Sequence, residues 1–211
     1  MTRGRSRLAA TRKLPREPRD AVTLHGVFLE VCGEGVLITG RSGLGKSELA
    51  LELLARGHRL VADDAVEFER HGDTLKGRCP PLLEGFLEAR SLGVLNIRRL
   101  YGPRALRKSA ALDLVIELDA PTAPVSGMER LSGHRGRREI LGIGVAEISI
   151  PIRLGHNLAV LVEAACRDLK LRRQGYRADE DFSRRQLDAI RRAGRRGPLK
   201  RRPGTKAEPP A

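Results

Sequence analysis

Two short runs in this sequence hold residue types that could move a phosphoryl group. The first is Gly40-Arg41-Ser42-Gly43-Leu44-Gly45-Lys46-Ser47, which fits the phosphate-binding pattern G-x-x-x-x-G-K-[ST]. Its glycines admit backbone angles that a Cβ would forbid, so successive N–H groups can turn inward around phosphate oxygens. Lys46 supplies a mobile positive charge for the outer phosphates, and the Ser47 hydroxyl is placed to ligate Mg²⁺. The second run is Asp63-Asp64, two acids closing the apolar stretch Leu60-Val61-Ala62. One carboxylate there can hold a metal or its water while the other takes a proton. Adjacent like charges also push one pKa upward, which suits a general base near neutral pH. Binding of a nucleoside triphosphate, or another polyphosphate, is the expectation.

Such a loop works between a strand and a helix, and both flanks supply one. Gly35-Val36-Leu37-Ile38-Thr39 predicts the strand, and Ser47 to Arg56 predicts the helix, stopped by Gly57. Upstream, Ala21 to Val31 is strand-like and joins the loop strand through Gly33-Glu34-Gly35, a hairpin feeding the site. His25, followed by Gly26, lies on the first strand of that hairpin, and spacing alone does not single it out. Downstream, Val66 to Arg70 and Thr74 to Arg78 flank His71-Gly72-Asp73 as a second hairpin, broken by Cys79-Pro80-Pro81. Leu82 to Arg90 reads as a short amphipathic segment that leads, past Glu88 and Arg90, into a predicted strand from Ser91 to Ile97. Leu112 to Leu118 is a further strand. Pro121 to Gly144, with five glycines and many charges, predicts a mobile loop. Val145 to Arg153 alternates, Gly155-His156-Asn157 turns, Leu158 to Leu171 has helical periodicity, and Phe182 to Ala193 is a last helix. The expected fold is α/β: residues 21–195 as one domain, with a mixed, partly antiparallel sheet around the phosphate loop and flanking helices.

The 211 residues suffice for one domain of ordinary size plus tails. The formal charge of +14 resembles a nucleic-acid signature until it is located. Residues 1–20 hold seven Arg/Lys against two acids and residues 191–211 hold eight against one, leaving +2 for residues 21–190. Residues 1–20 and 196–211 therefore read as basic, solvated, disordered tails on a nearly neutral domain. With aromatic residues at 3% and no Trp, a stacking platform for single strands is not expected, and nucleic acid is not the expected partner. Cys32, Cys79 and Cys166 show no C-x-x-C spacing and predict reduced thiols in a cytoplasmic protein. No apolar run is long enough to span a bilayer, and the N-terminus lacks the features of a secretory signal.

From about Leu24 to about Leu187 the chain resembles the catalytic domain of HPr kinase/phosphorylase. The residues that carry the likeness are His25-Gly26, Gly40 to Ser47, Arg56 to Asp64, Leu87 to Gly93, Glu129-Arg130-Leu131 and Pro151 to Asn157. The run Arg-Gly-His-Arg-Leu-Val-Ala-Asp-Asp at this distance after the loop is its most specific part. The resemblance implies the fold shared by HPr kinase and phosphoenolpyruvate carboxykinase. It also implies a bifunctional serine kinase/phosphorylase that draws on ATP or pyrophosphate with Mg²⁺, and that acts on the phosphocarrier HPr or an HPr-like protein. By the same likeness, Asp64 would be the proton acceptor in phosphorylation and the donor in phosphorolysis. Lys46 would stabilise the phosphates within the binding run Gly40, Arg41, Ser42, Gly43, Leu44, Gly45, Lys46 and Ser47. Ser47 and Glu88 would hold Mg²⁺, Arg130 would steady the moving phosphoryl group, and His25 would complete the catalytic set. Pro151 to Asn157 would match the stretch tied to dephosphorylation, and the assembly would be a hexamer.

The sequence departs from the family's pattern in places. A net-basic stretch of about twenty residues precedes His25 where full-length members carry a separate N-terminal domain, so a kinase domain without that companion is expected. Arg41 stands where many members have an acid, Ser91 replaces a usual glycine, His156 a usual arginine, and Tyr101-Gly102-Pro103-Arg104 breaks a Gly-rich pattern. Two other readings share the phosphate loop. A small-molecule kinase would phosphorylate a metabolite with no protein acceptor, and a nucleotide-gated sensor module would bind without turnover.

Overall fold

The computed structural model describes residues 21–119, 133–153 and 155–195. At its centre is β3 (Glu34–Gly40), buried at every position before its last residue. A strand covered on both faces is expected to read as a continuous apolar run, as this one does. It pairs in parallel with β10 (Leu114–Asp119) and antiparallel with β2 (Val27–Val31). β10 continues in parallel to β12 (Ile143–Pro151), and the edges are β11 (Arg135–Ile140) and β4 (Arg59–Ala62). The six-stranded order is β11-β12-β10-β3-β2-β4. A second, antiparallel sheet runs β1 (Ala21–His25), β5 (Ala65–His71), β6 (Thr74–Arg78), β9 (Ser109–Ala111), and β7 (Phe86–Ala89) pairs with β8 (Gly93–Asn96) alone. The described helices are α1 (Lys46–Ala55), α2 (Ile97–Tyr101), α3 (Leu158–Arg173) and α4 (Ala178–Arg195). This is a mixed α/β fold; among the described residues no helix is long and apolar enough to cross a membrane.

Period-two side-chain alternation divides the large sheet between two cores. Val27, Leu29, Ile38, Leu114 and Ile116 face α1 and α3, where Leu53, Val162 and Cys166 meet them. Phe28, Leu37 and Val115 face the second sheet, against Phe68 and Leu75. Phe28 and Phe68 meet edge to face with ring centroids 5.2 Å apart. Cys32, Cys79 and Cys166 are all free thiols.

Four sequence expectations are corrected. Ala21 to Val31 does not form one strand: it breaks at Gly26, where a Cβ would lie 2.6 Å from the Ile38 carbonyl oxygen. β1 leaves for the second sheet, and the hairpin that feeds the site is β2–β3. The predicted loop from Pro121 to Gly144 contains β11, paired along its length with β12. That edge strand buries only Ile140, so its charged residues hide the alternation that would have marked it. The predicted strand from Ser91 to Ile97 narrows to Gly93–Asn96, because the Asn96 side chain caps α2 by accepting from the Arg99 N–H at 3.0 Å. Within Leu82 to Arg90, a 3₁₀ turn at Pro81–Leu83 gives way to strand β7. Residues 121–132 of the predicted loop, and the tails 1–20 and 196–211, lie outside the described residues.

The two phenylalanines fit only because position 77 has no side chain. A Cβ on Gly77 would lie 2.5 Å from Phe68 and 2.6 Å from Phe28. Gly77→Ala is expected to destabilise the fold by about 1–3 kcal/mol, as overpacking of a filled core does. Urea unfolding of the variant beside the parent checks this.

Candidate active site

The loop motif lies between β3 and α1, with Gly45 at φ +82° as the helix cap, a left-handed conformation that suits glycine. The Lys46 ammonium donates to the carbonyls of Gly40 at 2.9 Å and Arg41 at 3.2 Å, so the side chain lies back along the loop. Ser42, Gly43, Gly45, Lys46 and Ser47 line a cleft of about 150 Å³. Arg41 is exposed, and Leu44 packs toward the helix-side core. At its far end α1 closes as a Schellman turn, with Gly57 N–H to Leu54 O at 2.9 Å and His58 N–H to Leu53 O at 3.1 Å.

The two acids face the same cleft but differ in environment. Asp63, at the end of β4, is 7% exposed, and its Oδ2 accepts the Glu88 backbone N–H at 2.8 Å. Burial pushes its carboxyl above the ordinary range; the charges of Asp64 and Glu88 add to the rise, and N–H groups of Glu88 and Asp64 pull it back. Desolvation, rather than the like-charge repulsion expected from the sequence, leads in raising this acid. Asp64 is exposed and has φ +67°, with the Ala65 N–H returning to Asp63 O at 2.9 Å in the hydrogen-bond pattern of a γ-turn. A conformation of this kind costs about 1–3 kcal/mol and persists where the surroundings enforce it. Two contacts do so: Gly26 N–H donates to Asp64 O at 3.2 Å, and His25 Nδ1 lies 2.9 Å from Asp64 Oδ1.

Strand β7 supplies the opposite wall. Glu88 and Arg90 are two residues apart and both line the cleft. The Arg90 guanidinium donates to Ser42 Oγ at 2.9 Å and packs against Gly43. The chain thus gathers His25, Lys46, Ser47, Asp64 and Glu88 around one cleft, together with Asp63 and Arg90. No specific role for Arg90 came from the sequence, although its strand spacing from Glu88 was the available signal. Arg130 lies outside the described residues.

Other residues of the motif runs have structural partners. Arg56 reaches Asn157 Oδ1 at 3.3 Å, and His58 Nε2 lies 2.8 Å from Glu163 Oε1. The His58 hydrogen bond holds the Glu163 carboxyl below its usual range. These contacts fasten the C-terminal end of α1 to α3. None of the described residues from Pro151 to Asn157 lines the cleft.

The chain matches the family model described as HPr Serine kinase C-terminal domain over residues 19–186. It is 48% identical over 174 residues to the HPr kinase/phosphorylase of Aromatoleum aromaticum, covering 82% of this chain and 56% of the relative. It is 50% identical over 182 residues to that of Xanthomonas campestris pv. campestris, covering 85% and 58%. The chain thus spans little more than half the length of these curated relatives. The solved Hpr(Ser) kinase/phosphatase from Coxiella burnetii is 35% identical, with a TM-score of 0.69 over 76% of this chain and 98% of that one.

The Asp63 environment has a measurable consequence. A carboxyl whose folded pKa is raised stabilises least once ionised, so its contribution falls as pH climbs through the ordinary carboxylate range toward the folded value. Asp63→Asn keeps an oxygen for the Glu88 N–H and removes the buried charge. It is expected to melt higher than the parent at neutral pH, with the gain shrinking toward zero as pH falls below the ordinary carboxylate range. Thermal unfolding across that pH series checks the sign.

Proposed function

The chain belongs to the HPr serine kinase C-terminal domain family, and on that premise we propose that it phosphorylates a serine of HPr, or of an HPr-like carrier. The donor is ATP or pyrophosphate, and the reverse reaction is phosphorolysis, in which inorganic phosphate takes the phosphoryl group and pyrophosphate leaves. The observation that carries this reading is the His25–Asp64 pair at 2.9 Å in the same cleft as Lys46 and Ser47.

In this mechanism, the loop amides and the positive end of α1 grip the phosphates. Lys46 swings from the carbonyls of Gly40 and Arg41 onto the outer phosphate oxygens. The side-chain oxygens of Ser47, Glu88 and the two aspartates in the cleft are hard donors of the kind Mg²⁺ accepts alongside phosphate and water. Ser47 and Glu88 would hold the ion, which when bound neutralises charge on the phosphates.

Asp64 takes the proton of the carrier's serine as its oxygen bonds to the terminal phosphorus, and the bond to the bridging oxygen breaks to release ADP or phosphate. His25 Nδ1 keeps the Asp64 carboxylate turned toward the acceptor. In phosphorolysis Asp64 returns the proton to the serine oxygen. Arg90, held on Ser42, adds a fixed cation at the loop, and Arg130 would steady charge on the transferring group. The same reading carries the expectation of a cytoplasmic homo-oligomer.

Mass spectrometry of purified HPr after incubation with the protein, Mg²⁺ and either ATP or pyrophosphate should show one phosphoserine. Nucleotide binding with no phosphoserine formed would favour a sensor module, and transfer confined to metabolites a small-molecule kinase. Asp64→Asn is expected to slow transfer by at least about 10²–10⁴-fold while leaving ATP affinity near normal. Lys46→Ala should weaken triphosphate binding and turnover together, visible in both the Kd and the rate.

A further inference from the structure

A cavity that the proposed chemistry leaves unused lies at the other end of the large sheet. The loop follows the C-terminal end of β3, whereas this pocket is lined by residues just before β10, which runs parallel to β3, and at the start of β12. Its volume is about 320 Å³, near the small end of the range for ligand sites. Leu75, Leu112, Val145 and Leu169 give it an apolar floor, closed from the side by the last turns of α3.

Two arginines border the floor, and they differ in how their charge is met. Arg173 is fully engaged, with Nη1 on Glu34 at 2.5 Å and Nη2 on Asp113 at 2.8 Å. Asp113 also takes the Gly35 N–H at 2.8 Å, so this pair is part of the scaffold. Arg137 has no carboxylate partner among the described residues; its Nη2 donates to Gly144 O at 2.7 Å. The absence of a side chain at Gly144 allows this close approach: a Cβ there would lie 2.9 Å from Arg137 Nε and 3.1 Å from Nη2, and the guanidinium would have to move aside. The guanidinium, exposed on its outer side, is thus laid against bare backbone beside an apolar floor, and among the described residues its remaining donors take no protein partner. A planar guanidinium held in one orientation recognises carboxylates through paired hydrogen bonds.

We propose that this pocket binds a small aliphatic carboxylate, its acid group on Arg137 and its hydrocarbon body over Leu75, Leu112, Val145 and Leu169. The volume holds about ten water-sized groups, enough for a branched-chain acid. Asp73 also lines the pocket and has no ion-pair partner among the described residues, so it is the carboxylate available to an α-ammonium if the ligand is an amino acid. The site stands apart from the phosphoryl-transfer reading and does not depend on it.

Titration calorimetry with L-leucine, 4-methyl-2-oxopentanoate and acetate tests the proposal on the full chain. At least one branched acid is expected to bind saturably, with acetate about tenfold weaker or more because it lacks the body. Arg137→Gln and Gly144→Ala should each weaken the branched acid by about tenfold or more while melting near the parent. The second variant keeps the charge and moves it. Lys46→Ala should bind as the parent does, which separates this site from the loop. Preference for leucine that disappears in Asp73→Asn assigns an amino acid; equal or better binding of the oxo acid assigns a 2-oxo acid. No saturable binding of either branched acid, or binding unchanged in both Arg137→Gln and Gly144→Ala, overturns the proposal.

Discussion

A carboxyl group withdrawn from water holds the two sides of the cleft together. Asp63 ends a strand of the large sheet, yet its oxygen takes the backbone N–H of Glu88 from a hairpin that pairs with neither sheet. Leu87 and Ala89 anchor β7 in the helix-side core, and this bond ties the strand directly to the acid turn. Glu88 takes its place over the loop from both, and Arg90 reaches across to Ser42. The same residue begins the tight turn in which Asp64 is displayed. Burying an acid is unfavourable, and hydrogen bonds from two N–H groups offset only part of that. The fold accepts an unfavourable desolvation so that the exposed neighbour sits in one orientation.

The orientation depends in turn on close packing behind it. Because β3 is covered on both faces, alternate residues of β2, β3 and β10 feed two separate cores, and neither strand partner of β3 can shift without disturbing both. Gly26 lets β1 peel away at the point where His25 must reach Asp64. One break in a strand therefore serves two ends: it starts the second sheet, and it brings an imidazole to a carboxylate.

How much of this was legible in the sequence follows from how local each feature is. The loop, its strand and its helix could be read because glycine spacing, an apolar run and a helical period all act within a few residues. The acid pair was equally visible, but which acid is buried depends on β7 folding back from some twenty-five positions later to donate one N–H. His25 came to notice only through family resemblance, since a lone histidine on a strand carries no signal until Asp64 stands beside it. β11 was missed because an edge strand has little to bury, and its arginines and glutamate obscure the period-two pattern. Arg137 carries no signal of its own in the sequence; its distinction is the bare backbone of Gly144 beneath it, seven positions away and across a tight turn.

The edges of the large sheet bear on how copies of this chain can meet. On one side β4 is already engaged by a passing segment, with Arg107 N–H on Leu60 O at 2.8 Å and a parallel bridge between Leu60 and Leu106. On the other, β11 carries four charged side chains, Arg135, Arg137, Arg138 and Glu139, the kind of edge that blunts pairing with a further strand. Continuous sheet extension from one subunit to the next, and the fibrillar growth that follows from it, is therefore disfavoured at both ends.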